Sequence, residues 1–480
     1  MDYAEFYADG AFHPCGGAAV LPVYNPATEQ AEASVRACSA DDLERAVRAA
    51  AAAGPGWGAA PPAQRRDALD RLAEALRQRA PDIVAGLARE IGCPVWLGEL
   101  MQVPMAMKGM AHARDGMDAI AWRERIGNGL VERVPVGVIA AITPWNFPLH
   151  QIVAKVAAAL AAGCTVVLKP SELAPGAAWQ FIQACHDAAL PPGVVNLVWG
   201  DAAIGQALVA HEAVDQVSFT GSTEVGRSIM AEAGRHLKRT TLELGGKSAA
   251  VLLPDAELER ALPVVLRMAV ANSGQACVSQ SRLIVPRQRL AEAEQALAAL
   301  AQAWPQGDPL DAATRLGPLA NARQFERVNA MVSRALQQGA RLVAGGPGRP
   351  AGQARGWHVP VTILSDVTPD MELAQEEVFG PVLALMPYED GGQDGGEAQA
   401  QAQALANATR YGLSGAVWSA DAARAAAFAR RMKTGQVIIN GADQNLATPF
   451  GGRGASGVGR ENGRFGIEEC LTWQSLHGAP

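Results

Sequence analysis

Three residue types that could share one piece of carbonyl chemistry stand far apart in the chain: Cys277 in "GQACVSQSR", Glu243 in "LELGGK" and Asn146 in "TPWNFP". A thiolate is the reactive form of cysteine, and a Gly/Ser/Gln-rich loop with backbone N–H groups favours it, although a lone cysteine is more often inert packing. Cys277 has no metal-ligand partner nearby, and none of the eight histidines adjoins it or forms an HExxH pair. Glu243 lies among apolar residues before a Gly-Gly break. Such surroundings disfavour its charge and raise its pKa toward the range of a general base; on the exposed face of an edge strand it would do neither. Asn146 sits between Trp145 and Phe147, braced by Pro144 and Pro148. A rigid amide there could donate to a developing oxyanion, or only stabilise its own turn.

Two further stretches suit a nucleotide. In "LKPSE", at the end of a predicted strand, Lys169 could neutralise or hydrogen-bond a nucleotide and Glu172 could accept from two ribose hydroxyls. The plainer reading is a solvated Lys–Glu pair after a turn. In "GSTEVG", Gly221 and Gly226 bracket a helix N-cap signal at Ser222. Backbone N–H groups of such a turn can hold a pyrophosphate, but this is not a GxGxxG fingerprint and an ordinary capped turn would look the same.

The elements that must position these residues alternate. Between Val136 and Leu253, apolar runs of strand length alternate with longer Ala-rich segments of helical length, the pattern of βαβ units and a largely parallel sheet. "VGVIAAIT" predicts a buried strand, and "LHQIVAKVAAALAA" a helix with Gly163 as its left-handed C-cap. "TVVLK", "VVNLVW" and "QVSFT" predict further strands, with helices near Ala177–Ala189 and Ile204 between them; together they predict a doubly wound sheet. A second series runs from about Ser248 through "RLIVP", a helix over Gln324–Gln338 and "GQVIIN", and predicts another α/β unit. "WRERIGNGLVERVP" predicts a projecting hairpin at its Gly-Asn-Gly. The Gly/Ala/Gln-rich stretch Asp390–Gln403 predicts a surface loop running into a polar helix.

The chain of 480 residues, 49% hydrophobic, has room for two or three domains with sizeable cores. Its net charge of −7 argues against a nucleic-acid partner. Seven dispersed cysteines without a CxxC pair fit neither a disulfide framework nor a zinc ribbon. The start lacks a signal-peptide pattern, and the longest apolar stretch is too short to cross a bilayer. These features predict a soluble cytoplasmic protein that engages neither metal nor membrane.

Taken in order, "TPWNFP", "LKPSE", "FTGSTEVG", "LELGGK", "GQAC", "EEVFGP" and "PFGG…SGVGRE" resemble the NAD(P)-dependent aldehyde dehydrogenase superfamily, and the resemblance runs from "YNPAT" to "TWQSL". It implies an α/β fold: a doubly wound Rossmann-type cofactor domain (1–119 and 134–244), an α/β catalytic domain (245–455), and an oligomerisation hairpin of about Ile120 to Arg133 working with a tail (120–133 and 456–480). It implies Cys277 as nucleophile, Glu243 as general base and Asn146 as oxyanion donor. By the same resemblance Lys169 and Glu172 contact the adenosine ribose, and Gly221, Ser222 and Gly226 form the pyrophosphate turn. Glu377, Phe379 and Trp145 complete the cofactor contacts around the nicotinamide.

The implied reaction oxidises an aldehyde to its acid with NAD as cofactor, NADP being tolerated. Thiolate attack makes a thiohemiacetal that can release hydride, and the resulting thioester is hydrolysed by water that Glu243 activates. Family members that pass the acyl group to coenzyme A commonly lack this base, so hydrolysis is expected. A homodimer or homotetramer is expected. Two departures stand out: "PFGGRGASG" has Gly454 where many relatives carry Lys, and Ala154 stands where aldehyde-detoxifying relatives often have an aromatic facing the substrate tunnel. With polar His150, Gln151, Asp443, Gln444 and Asn445 nearby, the tunnel is expected to be wide and partly polar. A thiol hydrolase using Cys277 without cofactor, and a silent nucleotide-binding scaffold, are the rival readings.

Overall fold

Val138–Ile142 and Thr165–Lys169 are buried along their whole length, as continuous apolar strands are when helices cover both faces of a parallel sheet. A computed structural model, which describes residues 1–389 and 396–479, places them at the centre of an eight-stranded sheet. Its order is Gly457–Val458, Arg239–Glu243, Gln216–Thr220, Val138–Ile142, Thr165–Lys169, Val195–Leu197, Glu5–Ala8, Ala11–Pro14. The five strands from Arg239–Glu243 to Val195–Leu197 run parallel, and antiparallel strands close both sides. In chain order the sheet grows from Val138–Ile142 to one side, then resumes on its other side at Gln216–Thr220. Open α/β sheets bind ligands beside the carboxyl ends of the strands at such a reversal.

The expected helix forms over Pro148–Ala162, with Pro at its start and Gly163 at φ 92° ending it, the backbone region glycine enters without steric cost. A second sheet of seven strands is ordered Arg341–Ala344, Thr362–Ser365, Val382–Tyr388, Arg282–Pro286, Ala249–Leu252, Gly415–Trp418, Ile438–Ile439. It is parallel except for the edge strand Arg341–Ala344. The chain passes from the first sheet to the second through Leu244–Ser248, between Glu243 and Ala249. The helix expected over Gln324–Gln338 spans Ala322–Gln337. The polar helix after Asp390 spans Gly396–Ala406; the loop expected at 390–395 lies outside the described residues.

The hairpin exists, with strands Arg123–Ile126 and Gly129–Pro135 joined by Gly127 and Asn128. Its second strand pairs along its whole length with Leu471–His477. The stretch from 456 onward divides between two places. Gly457–Val458 adds an edge to the first sheet, the helix Gly463–Glu469 packs on the helices Val103–Gly116 and Pro148–Ala162, and only Leu471–His477 joins the arm. No described helix is long and apolar enough to cross a membrane.

Candidate active site

Asn146, Lys169, Gly221, Ser222 and Glu243 lie at or just beyond the carboxyl ends of parallel strands. Asn146 follows Val138–Ile142, Lys169 ends Thr165–Lys169, Gly221 and Ser222 follow Gln216–Thr220, and Glu243 ends Arg239–Glu243. Cys277 comes from the other sheet, in the loop between the helix Leu258–Val270 and the strand Arg282–Pro286. Of the seven cysteines, all free, six are buried and Cys277 alone is partly open to solvent. Packing thiols and this one are therefore distinguishable.

The loop that carries Cys277 is held in an unusual backbone. Asn272, Ser273 and Gly274 have φ of 53°, 56° and 71°, a left-handed run that costs non-glycine residues energy and persists only where surroundings enforce it. The enforcing contacts are visible. The Ser273 hydroxyl donates to the Gly317 carbonyl at 2.7 Å, the Gln275 amide donates to the Asn272 carbonyl at 3.1 Å, and the Ala320 N–H donates to Gln275 Oε1 at 2.9 Å. A Cβ on Gly274 would lie 2.0 Å from the Gly380 carbonyl oxygen, so glycine is required there by space as well as by φ.

Asn146, 5% exposed, is bound to this loop directly. Its side-chain Nδ2 donates to the Gln275 carbonyl at 2.9 Å. Its own carbonyl accepts from Gln102 Nε2 at 3.1 Å and Asn272 Nδ2 at 2.9 Å. An amide carries two N–H donors, and this bond to the Cys277 loop uses one of them.

Glu243 is 2% exposed, and neither carboxyl oxygen has a hydrogen-bond partner. Burial, followed by the nearby Glu461 charge, pushes its pKa well above the usual carboxylate range, against the pull of Lys155 and Arg460. Lys155 is tied up elsewhere: its Nζ donates to Glu461 and to Thr220 Oγ1, and Thr220 in turn donates to Gln151 Oε1 at 3.0 Å. Burial also pushes the Cys277 thiol up, helped by Glu377 and Glu243, while the backbone N–H groups of Cys277 and Val278 pull it down.

Glu377 reaches into the same region. Its Oε1 accepts from the Gly246 N–H at 2.9 Å, and burial raises its pKa to about 7. Phe379, at φ 55°, sets its ring edge-on to Trp145 at 5.5 Å. At the other end of the cleft Lys169 is buried, 3.8 Å from Glu172, and burial lowers its pKa. Ser222 caps the helix Thr223–Arg235 by accepting from the Val225 N–H. A Cβ on Gly226 would stand 2.4 Å from Leu244 Cδ2, so this glycine lets the helix lie close against the segment that follows Arg239–Glu243.

Several residues expected to shape the tunnel divide. Gln151 is buried and engaged by Thr220, whereas His150 and Ala154 are the partly open positions of an otherwise buried helix. The His150 ring nitrogen Nδ1 is nonetheless buried, and that burial, with the nearby Lys155 charge, lowers its pKa to about 4. Asp443, Gln444 and Asn445 are exposed. Gly454 has φ 60°, and a Cβ there would meet the Arg410 carbonyl at 2.8 Å; the local backbone suits glycine rather than the lysine of relatives. The supporting amides Gln102, Asn272 and Gln275 were not expected, and only their polar type within apolar or Gly-rich stretches marked them. Among the described residues no group of three or more His, Cys, Asp and Glu could hold a metal ion.

The aldehyde dehydrogenase family model matches residues 14–476. A 3-succinoylsemialdehyde-pyridine dehydrogenase of a Pseudomonas species is 41% identical over 479 residues, covering 99% of both chains. Among solved structures, aldehyde dehydrogenase C of Pseudomonas syringae, a cysteine-to-alanine mutant complexed with NAD+ and octanal, is 43% identical with a TM-score of 0.96, covering 99% of this chain and 97% of that one. A Mycobacterium tuberculosis aldehyde dehydrogenase complexed with NAD+ is 37% identical with a TM-score of 0.95, covering 99% and 98%. A shared fold, near-complete coverage and a partly open cysteine set beside a buried carboxyl and an anchored amide agree: this chain belongs to the aldehyde dehydrogenase family.

Proposed function

We propose that Cys277 attacks an aldehyde carbonyl, with Asn146 holding the oxyanion and Glu243 later activating water, and that NAD is the cofactor. The observation that carries this is the bond between Asn146 and the Cys277 loop: the Asn146 amide is anchored on the Gln275 carbonyl, two residues from the sulfur, at 2.9 Å.

The residues present fit a dinucleotide. Lys169 offers a buried amine whose nearest acceptors are the Pro170 carbonyl and Glu172. Gly221, Ser222 and Gly226 make a close helix start, Glu377 acts on the Cys277 thiol, and Phe379 and Trp145 pack edge-on. A carboxylate at Glu172 accepts ribose hydroxyls and repels a 2′-phosphate, which favours NAD while Lys169 leaves NADP tolerated. The complexes of the P. syringae and M. tuberculosis enzymes with NAD+ support the same choice.

Cys277 Sγ would bond to the carbonyl carbon, and the former carbonyl oxygen would take the free Asn146 N–H and the Cys277 backbone N–H, donors worth a few kcal/mol where charge develops. NAD held by Lys169, Glu172, Ser222 and Glu377 would supply the acceptor for the hydride that the thiohemiacetal carbon must lose. The thioester then remains on Cys277. Glu243 would take a proton from water as that water attacks the thioester carbon, the C–S bond breaks and the carboxylic acid leaves. The unpaired Glu243 oxygens suit a group that must accept that proton.

We read residues 1–119 and 134–244 as the cofactor unit and 245–455 as the catalytic unit. The arm sheet exposes Trp473 and Ile126; with the hairpin it is the surface we assign to joining subunits into a homodimer or homotetramer, in the cytoplasm. A panel of short and long aldehydes with NAD and NADP, followed by absorbance of the reduced cofactor, tests the reaction. Aldehyde-dependent reduction of NAD is expected; ester cleavage of equal rate with and without NAD, and no reduction, would support a thiol hydrolase instead.

A further inference from the structure

The helix that runs from Val95 to Gly116 contains one π-helical turn, Gly98–Gln102, closed by the Val103 N–H donating to the Gly98 carbonyl five residues back. Such turns are rare and occur mostly inside α-helices at functional positions. Beyond the turn the buried positions Ala106, Met110, Ala113 and Met117 step by three or four, the ordinary helical period. Across it, Leu97 and Gly98 step by five to Gln102 and Val103, all four buried. The extra residue lets one helix meet two neighbours. Gly98 packs on the helix Ala80–Ile91, where a Cβ would lie 3.0 Å from Val84 Cγ1, and Gln102 turns toward Asn146.

Gln102 is 0% exposed. Its Nε2 donates to the Asn146 carbonyl at 3.1 Å and lies 3.7 Å from Cys93 Sγ, while its Oε1 has no partner. A buried amide with an unpaired oxygen carries a desolvation cost that an apolar side chain of the same length would not. Packing alone therefore does not account for a glutamine here. What it holds is the Asn146 peptide. With Asn272 Nδ2 donating to the same oxygen and the Asn146 amide anchored on Gln275, the backbone and side chain of Asn146 are fixed at three points.

We infer that Gln102, presented by the π-helical turn, is a positioning residue that acts on the reaction only through Asn146, by aiming its free N–H at the oxyanion. The inference rests on the reading of Asn146 as oxyanion donor. Fixed donors matter because the oxyanion is stabilised only by dipoles already in place when its charge develops, and misplacement by about 1 Å costs on the order of a hundredfold in rate.

The test is a double-mutant cycle in the full-length enzyme between Gln102→Met and Asn146→Ala, with steady-state turnover of one aldehyde and thermal melting of each variant. Gln102→Met is expected to lower kcat by about 5- to 50-fold, to leave KM for NAD within about twofold of the starting enzyme, and to melt no lower. In the Asn146→Ala background it should change kcat by less than about twofold, because the group it positions is gone. Should the Met variant not fold, Gln102→Asn keeps the amide but withdraws it by one methylene, and the same loss and the same non-additivity are expected. Unchanged kcat in the single variant, while Asn146→Ala is slow, would overturn the inference and leave the role of Asn146 standing. Equal losses in both backgrounds would overturn it as well. Full activity in Asn146→Ala would overturn the oxyanion reading and this inference together.

Discussion

Gly246 lies against the backbone of Cys277: a Cβ on Gly246 would stand 2.3 Å from the Cys277 carbonyl oxygen. Gly246 follows Glu243 by three residues, and its N–H donates to Glu377 at 2.9 Å. One turn therefore ties together the strand that ends in Glu243, the loop that carries Cys277 and the carboxyl of Glu377. Gly245 is confined less strictly, since a Cβ there would meet a side-chain end, Glu377 Oε2, at 2.4 Å. The Gly-Gly break in "LELGGK" is thus a spacing device between two sheets.

Gly246→Ala meets a backbone atom, which cannot swing aside as a side-chain end can. The Cys277 loop must shift, and a displacement of about 1 Å should lower kcat roughly a hundredfold. KM for NAD should move less, because Lys169, Ser222 and Gly226 are carried by other strand ends, Thr165–Lys169 and Gln216–Thr220. Kinetics of the purified variant with a fixed aldehyde check both numbers.

In the proposed reaction Glu243→Gln would remove the proton acceptor for hydrolysis and leave thiol attack and hydride release in place. Turnover should fall by about 10²- to 10⁴-fold, while one equivalent of reduced cofactor still forms in a rapid first phase. Intact-mass spectrometry should find an acyl adduct on the protein, and alkylation of Cys277 beforehand should abolish it.

The proposed roles of Cys277 and Glu243 also predict the response to pH. The Cys277 thiol and the Glu243 carboxyl are both raised by burial, so the thiolate and the carboxylate each gain population as pH rises, and turnover should climb from neutral into the alkaline range. Stability moves the other way. A carboxyl whose folded pKa is raised binds a proton more tightly folded than unfolded, so its stabilising contribution is present below the ordinary carboxylate pKa near 4.3 and is lost as pH rises through the folded value. Glu243→Gln, which has no charge to bury, should therefore gain in Tm relative to the starting enzyme on going from about pH 6 to about pH 9, by roughly 2 °C for each kcal/mol relieved. A gap independent of pH would remove the buried-charge account.

Much of the scaffold was legible because its local signals are strong. Thr165–Lys169 and Gln216–Thr220 appear with the expected bounds, and Gly163 terminates its helix in the left-handed conformation as its position predicted. Where tertiary pairing decides, the reading thinned. "GQVIIN" keeps only Ile438–Ile439 as strand, since the strand lies at the sheet's edge with one neighbour. Gly457–Val458 was read with the tail, yet it finds its partner in Leu242 and Glu243, a pairing more than 200 residues distant that no local pattern announces. The same holds in the site. Cys277, Glu243 and Asn146 could be picked out by type and motif. Gln102 could not, because its meaning depends on a helical bulge and on a carbonyl 44 residues away.

Whether Cys277 carries the chemistry is decided by a single-turnover measurement of Cys277→Ala with saturating NAD and aldehyde. NAD should still bind, shown by quenching of tryptophan fluorescence comparable to that of the starting enzyme, and no reduced cofactor should form above the uncatalysed background. Reduction of NAD at a rate within about tenfold of the starting enzyme would contradict the account, because without the sulfur no thiohemiacetal can form.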